Sequence, residues 1–228
     1  MISDSQPKSP VRVLIVDDDP LVRSALKMML ASSDQVQLVG EIEDGSQAGD
    51  AVRELSPDVV LMDIRMPQMD GLAATEVLGR LPAPPKIIIL TTFDADEHVL
   101  RAVRAGASGF LLKDTPPTEL IRAIQLVAAG EAMLSPTVTR KMFTHMSGQG
   151  ASSSSARRTR AVDLLAQLSE REREVALAIG DGKSNADIGA ELFMSLATVK
   201  THVSRLLAKL DLTNRVQIAL LVNDSKLP

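Results

Sequence analysis

Between Val11 and about Gly130 the chain alternates short apolar runs with stretches of helical periodicity, and this alternation limits the fold more than any other feature. Val11-Arg12-Val13-Leu14-Ile15-Val16 is written as a strand, and Leu21 to Leu30 as an amphipathic helix. The pattern recurs with strands at 36–42, 58–62, 86–90 and 109–112 and helices at 48–55, 72–81, 97–105 and 118–129. Strands that are apolar almost throughout cannot face water on either side, so they belong in a parallel sheet covered by helices on both faces. The punctuation agrees: Pro82, Pro84 and Pro85 precede the fourth strand, and Pro116-Pro117 opens the last of these helices. The expectation is an α/β fold with a doubly wound, five-stranded parallel sheet.

A different texture follows. Ser135 to Met146 has the pattern of one more helix, and then Gly148-Gln149-Gly150-Ala151 and Ser152 to Ser155 read as a flexible linker ahead of Arg157-Arg158-Thr159-Arg160. The remainder is helical. Ser169-Glu170-Arg171-Glu172 is a capping box, Gly180-Asp181-Gly182 breaks the helix it opens, and Ser184 starts a short helix to Leu192. A turn at Phe193-Met194 leads to Ser195, the N-cap of a helix from Leu196 to Leu210, and Asn214 caps a last one. A short helix, a tight turn and a longer helix make a helix-turn-helix. The expected organisation is an α/β domain over residues 9–131, a linker with a possible helix over 132–163, and an all-α domain over 164–226.

Charge separates the same two regions. Residues 1–156 carry 14 Lys and Arg against 20 Asp and Glu, whereas residues 157–228 carry 11 against 9. Within 195–216 the charged residues are Lys200, Arg205, Lys209 and Arg215 against Asp211 alone, so only the tail is suited to a polyanion. An ordinary solvated helix face has the same composition. The absence of Cys excludes a disulfide scaffold, a thiolate metal site and Cys nucleophilic chemistry. With no Trp or Tyr and four Phe, aromatic stacking of unpaired bases is not available as a binding mode. The first residues lack the pattern of a secretory signal and no apolar run is long enough to span a bilayer, so a cytoplasmic protein without membrane attachment is expected.

Ligands of a doubly wound sheet bind at the carboxyl ends of its strands. The first strand ends in Asp17-Asp18-Asp19, the third in Asp63, the fourth in Thr91-Thr92 and the fifth in Lys113. Carboxylates crowded on one rim repel unless a cation joins them, and clustered oxygens suit Mg2+. A carboxylate can accept a phosphoryl group, and Thr91 and Lys113 supply the polar and cationic partners such a transfer needs. Asp19 is read as a structural cap, because Pro20 stands at the first helical position. Thr92 is read as a loop residue.

These residues occur in Val16-Asp17-Asp18, in Leu61-Met62-Asp63-Ile64-Arg65-Met66-Pro67-Gln68-Met69-Asp70-Gly71, in Leu90-Thr91-Thr92 and in Gly106-Ala107-Ser108-Gly109-Phe110-Leu111-Leu112-Lys113. In that order they resemble the receiver domain of two-component response regulators, a flavodoxin-like fold. The resemblance implies that Asp63 accepts a phosphoryl group from a sensor histidine kinase. It implies that Asp17, Asp18, Asp63 and the Arg65 main-chain carbonyl hold Mg2+, that Thr91 and Lys113 bind the phosphoryl oxygens, and that Thr91 and Phe110 form the switch. A Phe on a core strand is also simply core.

The tail resembles the LuxR-type helix-turn-helix of the NarL/FixJ class through Leu168 to Val175, Ser184 to Gly189 and Ala197-Thr198-Val199-Lys200-Thr201-His202-Val203-Ser204-Arg205-Leu206-Leu207. Helical geometry supports it: Val199, Val203, Leu206, Leu207 and Leu210 share one arc, opposite Ala197, Thr201, Ser204 and Arg205. The resemblance implies that Lys200, Thr201 and Ser204 face bases in the major groove, with Thr198, Lys209, Arg215 and Asn185 as phosphate contacts. Leu196 stands where an acidic residue is common in the class, and Asp19 where His is.

The combined reading is a DNA-binding transcriptional response regulator, not an enzyme, that dimerises on activation and engages a two-fold-related site in double-stranded DNA. Two alternatives are a phosphorylation-independent DNA-binding regulator and a haloacid-dehalogenase-like phosphohydrolase. The second would use Asp17 as nucleophile and Asp19 as acid and base.

Overall fold

A computed structural model describes residues 9–91, 98–134 and 151–226. It forms two compact units. The first contains β1 (Val11–Val16), α1 (Pro20–Leu30), β2 (Val36–Ile42), a 3-10 turn (Gly45–Gln47), α2 (Ala48–Leu55) and β3 (Val59–Asp63). It continues with α3 (Gly71–Gly79), β4 (Lys86–Thr91), α4 (His98–Ala105), β5 (Gly109–Leu112), α5 (Pro117–Ala128) and β6 (Met133–Leu134). All strands pair in parallel, in the order β2-β1-β3-β4-β5-β6.

That order fixes where a site can form. From β1 the chain moves outward to β2, then crosses back to build β3, β4 and β5 on the other side. The loops after β1 and β3 therefore diverge, leaving a crevice at the strands' carboxyl ends. Strand alternation divides the core. Val13, Ile15, Val59, Leu61, Ile88, Leu90 and Leu111 pack with Leu26 and Leu30 of α1 and Leu120, Ile124 and Val127 of α5. Leu14, Val16, Val60, Met62, Ile87, Ile89 and Phe110 point to the other face by the period of two, and they are buried as well. Burial on both faces is the structural reason the strands read as unbroken apolar runs.

The five expected strands are present, and β6 adds a two-residue sixth, Met133 and Leu134 pairing with Gly109 and Phe110. So short a pairing carries no alternation to detect. Asp19 caps α1 as expected, its side chain accepting from the Leu21 N–H with Pro20 at the first helical position. Glu97, Thr92, the expected helix at 135–146 and Gly148 to Gly150 of the expected linker lie outside the described residues.

The second unit contains α6 (Ala151–Ala166), α7 (Glu170–Gly180), α8 (Asn185–Glu191), α9 (Leu196–Leu210) and α10 (Arg215–Ser225). Its core joins Leu165, Leu168, Val175, Ile179, Ile188, Val199, Val203, Leu206, Leu210, Ile218 and Val222. Within the stretch read as a linker with a possible helix, Ser152 to Ser155 and Arg157 to Arg160 are helical and belong to α6. Serine is only a moderately poor helix former, and the helix is anchored further on by buried Ala161 and Leu165 and by packing against α10.

The starts of α7, α8 and α9 are specified by side chains. Ser169 with Glu172, and Ser184 with Asp187, form reciprocal capping boxes, and Ser195 accepts from the Thr198 N–H. The turn between α8 and α9 places Phe193 in the left-handed region (φ 54°), with its side chain almost wholly exposed.

Candidate functional site

β1 and β3, neighbours at the point where the strand order reverses, each end in a buried carboxylate. Asp17 is 1% exposed, and Asp63, the last residue of β3, is buried as well. Lys113 follows β5 and reaches across to both: its Nζ lies 2.7 Å from Asp17 Oδ2 and 2.8 Å from Asp63 Oδ1. The backbone sets this reach, because the Lys113 N–H donates to the Thr91 carbonyl (2.8 Å) and so ties the end of β5 to the end of β4. Thr91 is buried at that end.

The remaining oxygens are held by main chain. Asp17 Oδ1 accepts from the Asp19 N–H (3.0 Å), and Asp63 Oδ2 accepts from the Arg65 N–H (2.9 Å). The Arg23 guanidinium donates to the Asp17 carbonyl (2.7 Å), a contact the sequence pattern does not announce. Gly71 is required by close packing: a Cβ there would lie 1.8 Å from the Asp63 carbonyl oxygen.

Burial raises the Asp17 carboxyl above the usual carboxylate range, with Lys113 acting in the opposite direction. Burial alone would lower Lys113, but its hydrogen bonds to Asp17 and Asp63 outweigh this and hold the ammonium above its ordinary value. One cation between two buried anions, with exposed Asp18 beside them, leaves net negative charge on the rim. Asp17, Asp18 and Asp63 each offer an oxygen within 4.8 Å of the others. A hard divalent ion such as Mg2+ fits this set, which is all oxygen, net anionic and open on the Asp18 side. Asp19 Oδ1 accepts from the Leu21 N–H (2.8 Å) and caps α1.

Phe110 is 1% exposed on β5, within the core. Asp44, which sequence reasoning passed over, is also buried, in the loop after β2. Its only advance signal is an acidic residue before glycine directly after an apolar strand.

In the second unit, α9 buries Val199, Val203, Leu206 and Leu210 and exposes Thr201, Ser204, Arg205 and Ala197, with Lys200 half-buried at the edge. Lys200, Thr201 and Ser204 are therefore together on one accessible surface, and Thr198 is exposed at its start. The Thr201 hydroxyl donates to the Ala197 carbonyl (3.0 Å), and the Thr198 hydroxyl is shared with Ser195 (2.8 Å). Lys209, near the end of α9, donates to Glu172 Oε2 at 2.9 Å. That pairing, with the cap at Ser169, lowers the Glu172 carboxyl to about 2.

Asn185 and Arg215 sit apart from this surface. Asn185 is 1% and Arg215 8% exposed. Arg215 donates to Asn185 Oδ1 (3.2 Å) and to the Lys183 carbonyl (2.6 Å), and burial lowers its pKa below the usual guanidinium value. Charge counting cannot distinguish such an internal arginine from a surface one.

Comparison with known proteins covers both units. The response regulator receiver domain model matches residues 13–125, and the model for bacterial regulatory proteins of the luxR family matches residues 166–222. The uncharacterized transcriptional regulatory protein YhcZ of Bacillus subtilis (strain 168) is 40% identical over 210 residues, covering 92% of this chain and 94% of that one. The transcriptional regulatory protein LiaR of the same organism is 38% identical over 211 residues, covering 92% and 95%. Among solved structures, the response regulator ChrA of a heme-sensing two-component system aligns with a TM-score of 0.52 and 34% identity, over 96% of this chain and 99% of that one.

Proposed function

Because the chain belongs to the two-component response regulators that join a receiver domain to a LuxR-type DNA-binding domain, we propose that Asp63 is its phosphoacceptor and that a sensor histidine kinase is the donor. The observation that carries this reading is the Lys113 bridge, 2.7 Å from Asp17 and 2.8 Å from Asp63 at the switch point of the sheet. In the transfer an Asp63 carboxylate oxygen attacks the phosphorus of a phosphohistidine, the N–P bond breaks with its electron pair returning to the imidazole, and an acyl phosphate results. Asp17, Asp18, Asp63 and the Arg65 main-chain carbonyl would hold Mg2+, whose chemistry is to neutralise the phosphoryl oxygens.

Lys113 already bonds the oxygen that changes charge, so it can follow the new phosphoryl group with little reorganisation. Thr91 bonds a second phosphoryl oxygen. Phe110 is fully packed on β5, the strand that ends next to Lys113, so a shift there requires a second discrete packing rather than a gradual one. That two-state change favours a homodimer, and two copies of α9 then engage a two-fold-related site in the major groove through Lys200, Thr201 and Ser204. Thr198 and Lys209 reach phosphates, and buried Asn185 and Arg215 support the start of α8 from within. The reading places the protein in the cytoplasm with its DNA. Among the described residues no helix is long and apolar enough to cross a membrane.

The test is incubation with Mg2+ and acetyl phosphate. The expected result is one acid-labile phosphoryl increment per chain on the tryptic peptide containing Asp63, absent from Asp63→Asn, with dimerisation and tighter operator binding only in the loaded form. Sustained turnover of donor would favour a phosphohydrolase. Equal DNA affinity for loaded wild type and Asp63→Asn would make the protein a phosphorylation-independent regulator.

A further inference from the structure

Asp44 lies in the loop after β2 and is 4% exposed. Its Oδ1 accepts from the Ser46 N–H (2.9 Å) and the Met69 N–H (3.3 Å), and its Oδ2 accepts from the Gln68 N–H (2.9 Å). The first of these bonds is the ordinary cap of a 3-10 turn. The other two are different in kind, because Gln68 and Met69 stand 24 and 25 residues further along the chain. They belong to the loop at 64–70, which begins at Asp63 and closes with the Gly71 N–H donating to the Ile64 carbonyl (2.9 Å). The two loops touch through their backbones: a Cβ on Gly45 would lie 2.6 Å from the Met69 carbonyl oxygen.

We infer that Asp44 is a positioning residue for phosphoryl transfer: by accepting the Gln68 and Met69 N–H groups it fixes the loop that carries the Arg65 main-chain carbonyl beside Asp63. The inference rests on the reading of Asp63 as phosphoacceptor. A loop clamped only at its ends retains conformational freedom that must be lost each time the rim binds a cation or a donor. Clamping its middle removes that freedom in advance, and small displacements at such a site have large effects on rate. The chemistry calls for a carboxylate. Both oxygens face main-chain donors, so an amide would set its own NH2 against one of them, and hydrogen bonds to an ionised acceptor are the stronger kind. The Ser46 side chain and these N–H groups hold the Asp44 carboxyl below the usual carboxylate range, so it is ionised at neutral pH.

The experiment compares full-length wild type, Asp44→Asn and Asp44→Ala by Mg2+ affinity in titration calorimetry, by the rate of acyl phosphate formation from acetyl phosphate, and by amide hydrogen exchange. Asp44→Ala is expected to weaken Mg2+ binding about tenfold, the usual scale for losing a group that supports metal ligands. Loading should slow in parallel, and exchange at Gln68 and Met69 should accelerate while β1 and β3 stay protected. Asp44→Asn, keeping one acceptor, should fall between. A folded Asp44→Ala protein with wild-type Mg2+ affinity and loading rate overturns the inference. So does acceleration spread equally over β1 and β3, which would mean that Asp44 supports the whole unit rather than the loop. If Asp44→Ala does not fold, Asp44→Asn is judged by the same criteria. A wild-type chain that binds Mg2+ but takes up no phosphoryl group would remove the phosphoacceptor reading, with Mg2+ affinity and exchange still reporting on the Asp44 clamp.

Discussion

Lys113 and Lys209 make the same kind of bond in two different settings. Lys113 bridges two buried carboxylates at the sheet rim, whereas Lys209 pairs with one carboxylate, Glu172, on the surface of the helical unit. Side-chain exposure is 18% for Lys113 against 1% and 8% for its two partners, and 40% for Lys209 against 14% for Glu172. In a desolvated setting, removing the cation leaves two buried anions with only a main-chain N–H bond each to compensate them. In a solvated one, water and salt replace most of what is lost, and such pairs are worth about 0–1 kcal/mol. The same chemistry therefore serves opposite ends. The rim holds its cation between two buried anions, while Lys209 of the helical unit is held by one carboxylate and is more open to solvent.

Replacing Lys113 tests the first half of that contrast, and its effect is expected to be the largest. Lys113→Met should slow acyl phosphate formation about a hundredfold, the scale for losing one preorganised charge-stabilising donor. The same variant should bind Mg2+ more tightly, because the ammonium competes with a divalent ion for the Asp17 and Asp63 oxygens. The two opposite changes, read by loading time course and calorimetry, separate an electrostatic role from a merely structural one. Unchanged loading would remove the distinction between the two lysines.

Lys200 tests the second half. It has no carboxylate partner among the described ion pairs and sits at the edge of the exposed α9 surface. Lys200→Ala should weaken binding to the preferred site by about 1–3 kcal/mol and relax the choice of base at one position. Selection of bound fragments from a random pool would show this as a flattened preference. A uniform loss with preference intact would assign Lys200 to phosphate, the role proposed for Lys209.

The two units were unequally legible in the sequence. The sheet could be read because burial on both faces leaves unbroken apolar runs, and the rim because strand ends in a doubly wound sheet have only one place to meet. Asp17, Asp63, Thr91 and Lys113 follow from those two facts. Asp44 does not, since its partners are main-chain N–H groups of a distant loop, which leave no mark on residue identity. In the helical unit, periodicity separated Val199, Val203, Leu206 and Leu210 from Thr201 and Ser204. It could not separate Arg215, enclosed and bonded to the Lys183 carbonyl, from a surface arginine of the same helix end. Helix α6 was hidden for a related reason: a serine run reads as linker until the apolar residues further along, Ala161 and Leu165, are seen to be anchored.

The smallest effect belongs to the pair of Lys209 and Glu172, and it gives the contrast its finest test. The Glu172 carboxyl lies at about 2 in the fold against 4.5 as a free side chain. A depressed carboxylate stabilises the fold above its unfolded pKa and loses that contribution as pH falls through the folded one. The difference in Tm between wild type and Glu172→Gln should therefore be constant above about pH 5 and close as pH is lowered towards 2. At neutral pH the same variant releases Lys209, so DNA affinity should rise for all sequences alike, by less than about tenfold at moderate salt. Lys209→Ala should instead reduce the slope of log affinity against log salt by about one unit. If neither variant changes DNA binding at any salt concentration, Lys209 serves only to close the cap of α7 and the contrast between the two lysines reduces to burial.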